Sequence, residues 1–162
     1  MSTLVLNRRN LLAAGGSVLA TGMSGVLLPA RAQGLVPTAS MSGGSNNYQK
    51  GAAIVDRIGK GGFWMSGTVR RAGDGAPLAG QRIQIWAHTV EGQEHEQQSH
   101  GATLTDKDGK FRLEMPQIIP IFGQPHGHLA YDSGQFKTVF LRPVMKSAKD
   151  KSLEAHFVLQ PA

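Results

Sequence analysis

The chain is 162 residues long, with 40% hydrophobic residues, 17 basic against 11 acidic side chains, and no cysteine. That length suits one ordinary domain with a single core, and the missing cysteines exclude disulfides, thiolate metal ligands and thiol nucleophiles. The basic residues are scattered, with a mild cluster from Lys146 to Lys151, so nucleic-acid binding, which needs a basic stripe with interleaved aromatics, is not indicated.

Residues 1–32 read as a cleavable export signal. Arg8 and Arg9 precede an uncharged stretch of Leu, Ala, Gly and Val that ends in Ala30-Arg31-Ala32. A basic start, an apolar middle and small residues around the cut describe such a signal, and the paired arginines point to the twin-arginine export machinery. The stretch is interrupted by Gly and Ser and is weakly apolar for a membrane span of roughly 20 residues. Cleavage is expected near Ala32, which makes the mature protein periplasmic or secreted. The cut takes three of the 17 basic residues and no acid, so the net charge falls from +6 to +3.

Residues 33–62 are rich in Gly, Ser, Asn and Ala, as in Met41-Ser42-Gly43-Gly44-Ser45-Asn46-Asn47, and predict a flexible arm. Within it Gly51–Ile58 is either a helical turn or a cover for a sheet. Residues 63–162 carry short alternating strands punctuated by turn residues, which predicts an all-β domain, an antiparallel β-sandwich. Phe63–Arg70 is the first strand. In Gln81–Ala87 the alternation turns Ile83 and Ile85 to one side and Arg82, Gln84 and Trp86 to the other. Ala102–Thr105 leads into the polar turn Asp106-Lys107-Asp108-Gly109, and Lys110–Met115 is expected to return as its hairpin partner. Segments 126–131, 136–144 and 153–159 supply the remaining strands.

The most informative residues are His126 and His128, separated by Gly127. On a strand, residues i and i+2 project from one face, so the two imidazoles can share a metal ion. Partners are available between His88 and His100, a stretch with three histidines and three glutamates that includes Glu94, His95 and His100. Asp106 and Asp108 lack the further acidic residues of a calcium loop and are read as shaping their turn. No G-x-S-x-G elbow is present, which argues against hydrolase chemistry.

Several of these pieces fall in a familiar order. Ser66-Gly67-Thr68-Val69, the turn Asp74-Gly75-Ala76-Pro77-Leu78-Ala79-Gly80, the strand with Ile85-Trp86, Thr105-Asp106-Lys107-Asp108-Gly109-Lys110-Phe111 and then His126-Gly127-His128 together resemble the intradiol ring-cleavage dioxygenases over roughly residues 66–130. The early turn and strand also occur in exported transthyretin-like, immunoglobulin-like sandwiches. The resemblance implies a sandwich that holds non-haem Fe(III) through two tyrosines and two histidines, binds a catechol through both hydroxyls and directs O2 into the ring between them. It places His126 and His128 on the family's histidine ligands, and implies an arm that contributes to subunit contacts, hence a possible homo-oligomer.

The tyrosines do not follow. Glu94 or His95 stands near the place of the first and Phe122 at that of the second. Tyr48 and Tyr131 are the two tyrosines of the chain, and Tyr131 lies an odd number of residues from His128, on the opposite strand face. An arginine that usually precedes the histidine pair is replaced by Gly123-Gln124-Pro125. A metal set of His126, His128, His95 and Glu94, with His88 or His100 as further candidates, suits Fe(II), Zn(II), Cu(II) or Mn(II) as well as iron in the family's ferric state. Two readings stand. One is a divergent intradiol dioxygenase-like protein that binds non-haem iron and acts on catechol-like aromatics; the other is a non-catalytic periplasmic sandwich serving as a binding or accessory module.

Overall fold

The computed structural model describes residues 34–162; the export signal expected over 1–32 lies outside them. Seven strands form two facing sheets: β1 (Gly62–Arg71), β2 (Arg82–Ala87), β3 (His100–Leu104), β4 (Lys110–Pro116), β5 (Gly127–Tyr131), β6 (Val139–Leu141) and β7 (Ser152–Leu159). One sheet has the order β4-β1-β7 and the other β3-β2-β5-β6. The architecture is the all-β sandwich expected. Its pairs are antiparallel apart from β1 and β7, which run parallel.

Alternation selects the core. Phe63, Met65 and Val69 of β1 face Ile83 and Ile85 of β2, Leu129 and Tyr131 of β5, and Phe157 and Leu159 of β7, all buried in one cluster. The alternate positions of β1 (Trp64, Ser66 and Thr68) lie on the outside and are half-buried. In β2 and β5 both faces are buried, the outer one through Gln84, Trp86 and His128. Something must therefore cover the outside of the four-stranded sheet.

That cover is the N-terminal arm. On one side of the sandwich the Thr38 N–H donates to the Val158 carbonyl (2.9 Å) and the Met41 N–H to the Phe140 carbonyl (2.8 Å), while the Val158 and Phe140 N–H groups donate to the hydroxyls of Thr38 and Ser40. On the other side the Val55 N–H donates to Ala102 (3.0 Å) and the Ile58 N–H to Glu114 (2.9 Å). Segment 51–58 is thus a cover and holds no helical turn. All four edge strands (β7, β6, β3 and β4) receive hydrogen bonds from the arm, which shields edges that would otherwise template aggregation. Between these clamps residues 43–50 cross the face of β2 and β5. The arm reads as loose because its attachments are backbone groups and short polar side chains, with no apolar period to betray them.

One expectation is corrected. β3 and β4 are not hairpin partners, since β3 pairs with β2 and β4 with β1. The turn between them carries the chain from one sheet to the other. Its chemistry is as read: the Asp106 carboxylate accepts the N–H groups of Asp108 and Lys110 (both 2.9 Å), and Gly109 takes φ 72°. The corner is fixed by Thr105, whose buried hydroxyl donates to Leu78 (2.6 Å) and accepts the Gln81 N–H (2.8 Å). Local turn chemistry does not say which sheet the returning strand joins.

Candidate metal centre

The histidine pair owes its geometry to the glycine inside it. His128 stands opposite Trp86 in the β2–β5 register, and His126, one residue before β5, bridges to Val144. Gly127 faces inward, where a β-carbon would come within 2.9 Å of the Met65 methyl. The sheet therefore turns both imidazoles outward beneath the arm, their ring centroids 5.0 Å apart and nearly perpendicular.

Glu94, in the loop after β2, completes the group. Its Oε2 lies 3.2 Å from His128 Nε2 and 3.7 Å from His126 Nε2, and one ligand atom from each of the three lies within 4.8 Å of the others. The remaining polar atoms have other partners. His128 Nδ1 lies 3.1 Å from the Gly44 carbonyl and His126 Nδ1 2.9 Å from that of Gln124. With the ring proton on Nδ1, donated to these carbonyls, each histidine would present its Nε2 lone pair on the Glu94 side, the tautomer a metal ligand requires. Asn47 donates to Glu94 Oε1 at 2.6 Å from a left-handed backbone of φ 56°, and the Arg142 guanidinium lies 3.3 Å from His126 Nδ1.

Electrostatics sharpens the point. His128 is fully buried, His126 is 6% exposed, and the Glu94 side chain is 14% exposed. Burial lowers the His128 pKa, against the opposing pull of the Glu94 carboxylate beside it. In the Nδ1–H tautomer two imidazole lone pairs and a carboxylate converge in a poorly solvated place, which is costly without a cation. A divalent metal would satisfy all three. The Nδ1 bonds to backbone carbonyls are the outer contacts that usually fix a ligating histidine's tautomer.

The other candidates lie elsewhere. His95 projects its side chain to solvent and meets the arm through its carbonyl, which accepts from Gln49. His100 Nε2 donates to the Glu94 backbone carbonyl (2.8 Å), so it supports the loop. His88 is not in the convergent group. Trp86 is sandwiched almost parallel between His128 (5.2 Å, 10°) and His100 (5.5 Å, 7°), and its indole N–H donates to Asn46 (2.9 Å). Tyr48 packs on Trp86 and donates its hydroxyl to Asp132, which also faces Arg82 at 3.6 Å; desolvation, reinforced by that bond, pushes its pKa far up. Tyr131 is in the core on the far side of β5, where burial likewise raises its pKa. Neither tyrosine is part of the ligand group. Sequence reasoning missed Gly44, Asn47 and Arg142; the Asn-Asn pair in a glycine-rich run was the one signal for a left-handed turn.

Phe122 is fully exposed at φ 47°. A phenol there points to solvent, so Phe122→Tyr should leave the visible spectrum of iron-loaded protein unchanged; a new charge-transfer band would show that this loop folds inward.

A pH dependence also follows. Burial lowers the His128 pKa and the His100 pKa from their ordinary 6.5. For a base buried neutral, the stabilisation is complete above the unfolded value and is lost as pH falls through the folded one, because the unfolded chain takes up the proton first. The urea midpoint of metal-free protein should be flat from pH 8 to 7 and fall below 6.5, each histidine contributing at most about 1.4 kcal/mol per pH unit. His100→Gln should flatten that slope, and an unchanged slope would show that His100 titrates normally.

The sequence matches no family model and no curated protein. Solved structures do match. The hydroxyquinol 1,2-dioxygenase of Pseudomonas putida DLL-E4 superposes with a TM-score of 0.57 at 14% identity, covering 81% of this chain and 69% of that one. The fold is that of the intradiol dioxygenases. The 3-chlorocatechol 1,2-dioxygenase of Rhodococcus opacus 1CP gives 0.58 at 14% identity, over 77% and 72% of the two chains. The dioxygenase domain of a dioxygenase and carbohydrate-binding protein fusion from Streptomyces sp. SirexAA-E gives 0.58 at 15% identity, over 78% of this chain and 99% of that one. At such identities the likeness is one of fold, and the chemistry must be argued from the site.

Proposed function

We propose that this protein is a non-haem metal protein on the intradiol fold, in which Glu94, His126 and His128 hold a divalent cation, iron(II) foremost, and that its reaction is O2-dependent ring cleavage of a catechol-like aromatic. The observation that carries the metal assignment is the convergence of three lone-pair donors whose other polar atoms are already bonded. Two histidines and one carboxylate with open positions are the usual set of Fe(II) oxygenases, and no phenolate is at hand to favour the ferric ion. A bound metal would supply Lewis acidity toward the two hydroxyls and a meeting point for O2.

The chain's own residues do the rest. Asn47 holds Glu94 by one oxygen and leaves the other for the metal. Trp86 and the arm keep water out of the histidine rings. Because His128 is fully buried, a catechol would reach the centre only if residues 43–48 lifted from the sheet. That same burial favours a second reading, a closed metal-holding accessory module without turnover. The paired arginines at 8 and 9 support action outside the cytoplasm, which N-terminal sequencing of exported material would read.

Elemental analysis of the full chain, purified without an affinity tag, should give close to one metal per chain. Incubation with catechol in 18O2 should then yield a ring-opened acid labelled from O2, a diacid where the bond between the two hydroxyl-bearing carbons is cut. Bound metal without product selects the accessory module; absence of metal overturns the centre itself.

A further inference from the structure

The outer face of the β4-β1-β7 sheet is the face the arm leaves open, and a groove of about 600 Å³ lies across it. Register sets its floor. Lys110, Thr68 and His156 stand side by side in one row across the three strands, and Arg112, Ser66 and Glu154 in the next. The Arg112 guanidinium lies 3.7 Å above the ring of Trp64, an arrangement that holds its planar donors ready. Among the described residues neither Arg112 nor Lys110 is in an ion pair, and the nearby Asp106 carboxylate is engaged by backbone N–H groups. His156 Nδ1 meets the Thr68 hydroxyl at 3.0 Å, leaving Nε2 available.

The groove is therefore polarised. Arg112 and Lys110, neither of them in an ion pair, stand on the β4 side with the Asp106 carboxylate near Lys110, hydroxyls run down the middle, and Glu154 and His156 stand on the β7 side. The cations call for carboxylates, which the Arg112 fork can take bidentately. The remaining floor sets the polar groups of Ser66, Glu154 and His156 among apolar surface from Trp64 and Leu104, and a purely aromatic acid would leave the polar groups unpaired. A polyol satisfies them. The groove is open on one side, which suits a chain-like ligand better than an enclosed small molecule.

We propose that this groove binds an oligosaccharide containing uronate residues, with carboxylates at Arg112 and Lys110 and ring hydroxyls at Ser66, Glu154 and His156. The site is separate from the metal centre and does not depend on it. Isothermal titration of the full chain at physiological salt would compare tri- to pentagalacturonate with a neutral galactose oligomer and a short polyglutamate. Galacturonate should saturate, with the other two at least tenfold weaker. Arg112→Gln should weaken it at least tenfold, as should Lys110→Ala, an exposed change that spares folding if Arg112→Gln lowers the melting temperature. Glu94→Gln should bind like the parent. Absent saturation, equal binding of polyglutamate, or indifference to both cation variants would overturn the proposal.

Discussion

Glu94→Gln should empty the metal centre while leaving the metal-free protein as stable as before, or slightly more so. The change removes the one anionic ligand, and since disturbing groups that merely support a metal ligand already costs 10- to 100-fold in affinity, a loss of at least about a hundredfold is expected here. The amide keeps an oxygen for the Asn47 bond and presents an NH2 to the histidine Nε2 atoms, donating where the carboxylate could only accept. Metal content and thermal melting should therefore part company. The double variant His126→Ala with His128→Ala should lose metal equally but also melt lower, because His128 is packed on Trp86 and tied to Gly44. Metal retained at parental stoichiometry in either protein would place the ion elsewhere.

Gly67→Ala should prove among the most damaging single methyl additions in the domain. Gly67 sits in the middle strand of the three-stranded sheet, opposite Phe111 on one side and Ala155 on the other. A β-carbon there would fall 1.6 Å from the Ala155 carbonyl oxygen and 2.8 Å from the tip of the Phe111 ring. The first is backbone and cannot swing aside, so β7 must move. Since β7 is held in its sheet by β1, and carries Phe157 and Leu159 into the core, the expected loss is about 4 kcal/mol or more, the range reserved for broken cores, against a total of roughly 5–15 kcal/mol for a domain. Urea titration should show most of the parental stability gone, with Ser66→Ala, on the outward side of the same strand, close to the parent. A Gly67→Ala midpoint within experimental error of the parent would mean that β1 and β7 are not in this register.

These variants probe features that were unequally legible in the sequence. Alternation in β1, β2 and β7 was easy to read because one face of each meets the core, and His126 and His128 announced themselves by spacing alone. Glu94 could not be separated from His95, because in a loop neighbouring side chains obey no period; Asn47 and the bend of the chain decide which of them faces the histidines. The Asp106 turn showed its hydrogen-bond chemistry yet hid its topology, since Thr105 fixes the corner through residues 78 and 81, far off in sequence. Trp86 was read on the correct face, but its place between two imidazoles depends on β3 and β5 flanking β2, a tertiary fact. Phe122, aligned with a missing phenolate, instead lies at the tip of a surface loop.

The arm has a consequence in time. It is the first of the described segments to leave the ribosome, yet its anchors at Phe140 and Val158 are among the last residues made. The clamp over β6 and β7 thus cannot close until synthesis is nearly complete. Until it does, the face bearing His126 and His128 stands uncovered, and once residues 43–48 settle and Gly44 accepts its bond from His128 that face is closed. For the proposed metal centre, the order in which the chain is built and buttoned up would separate a loading phase from a holding phase.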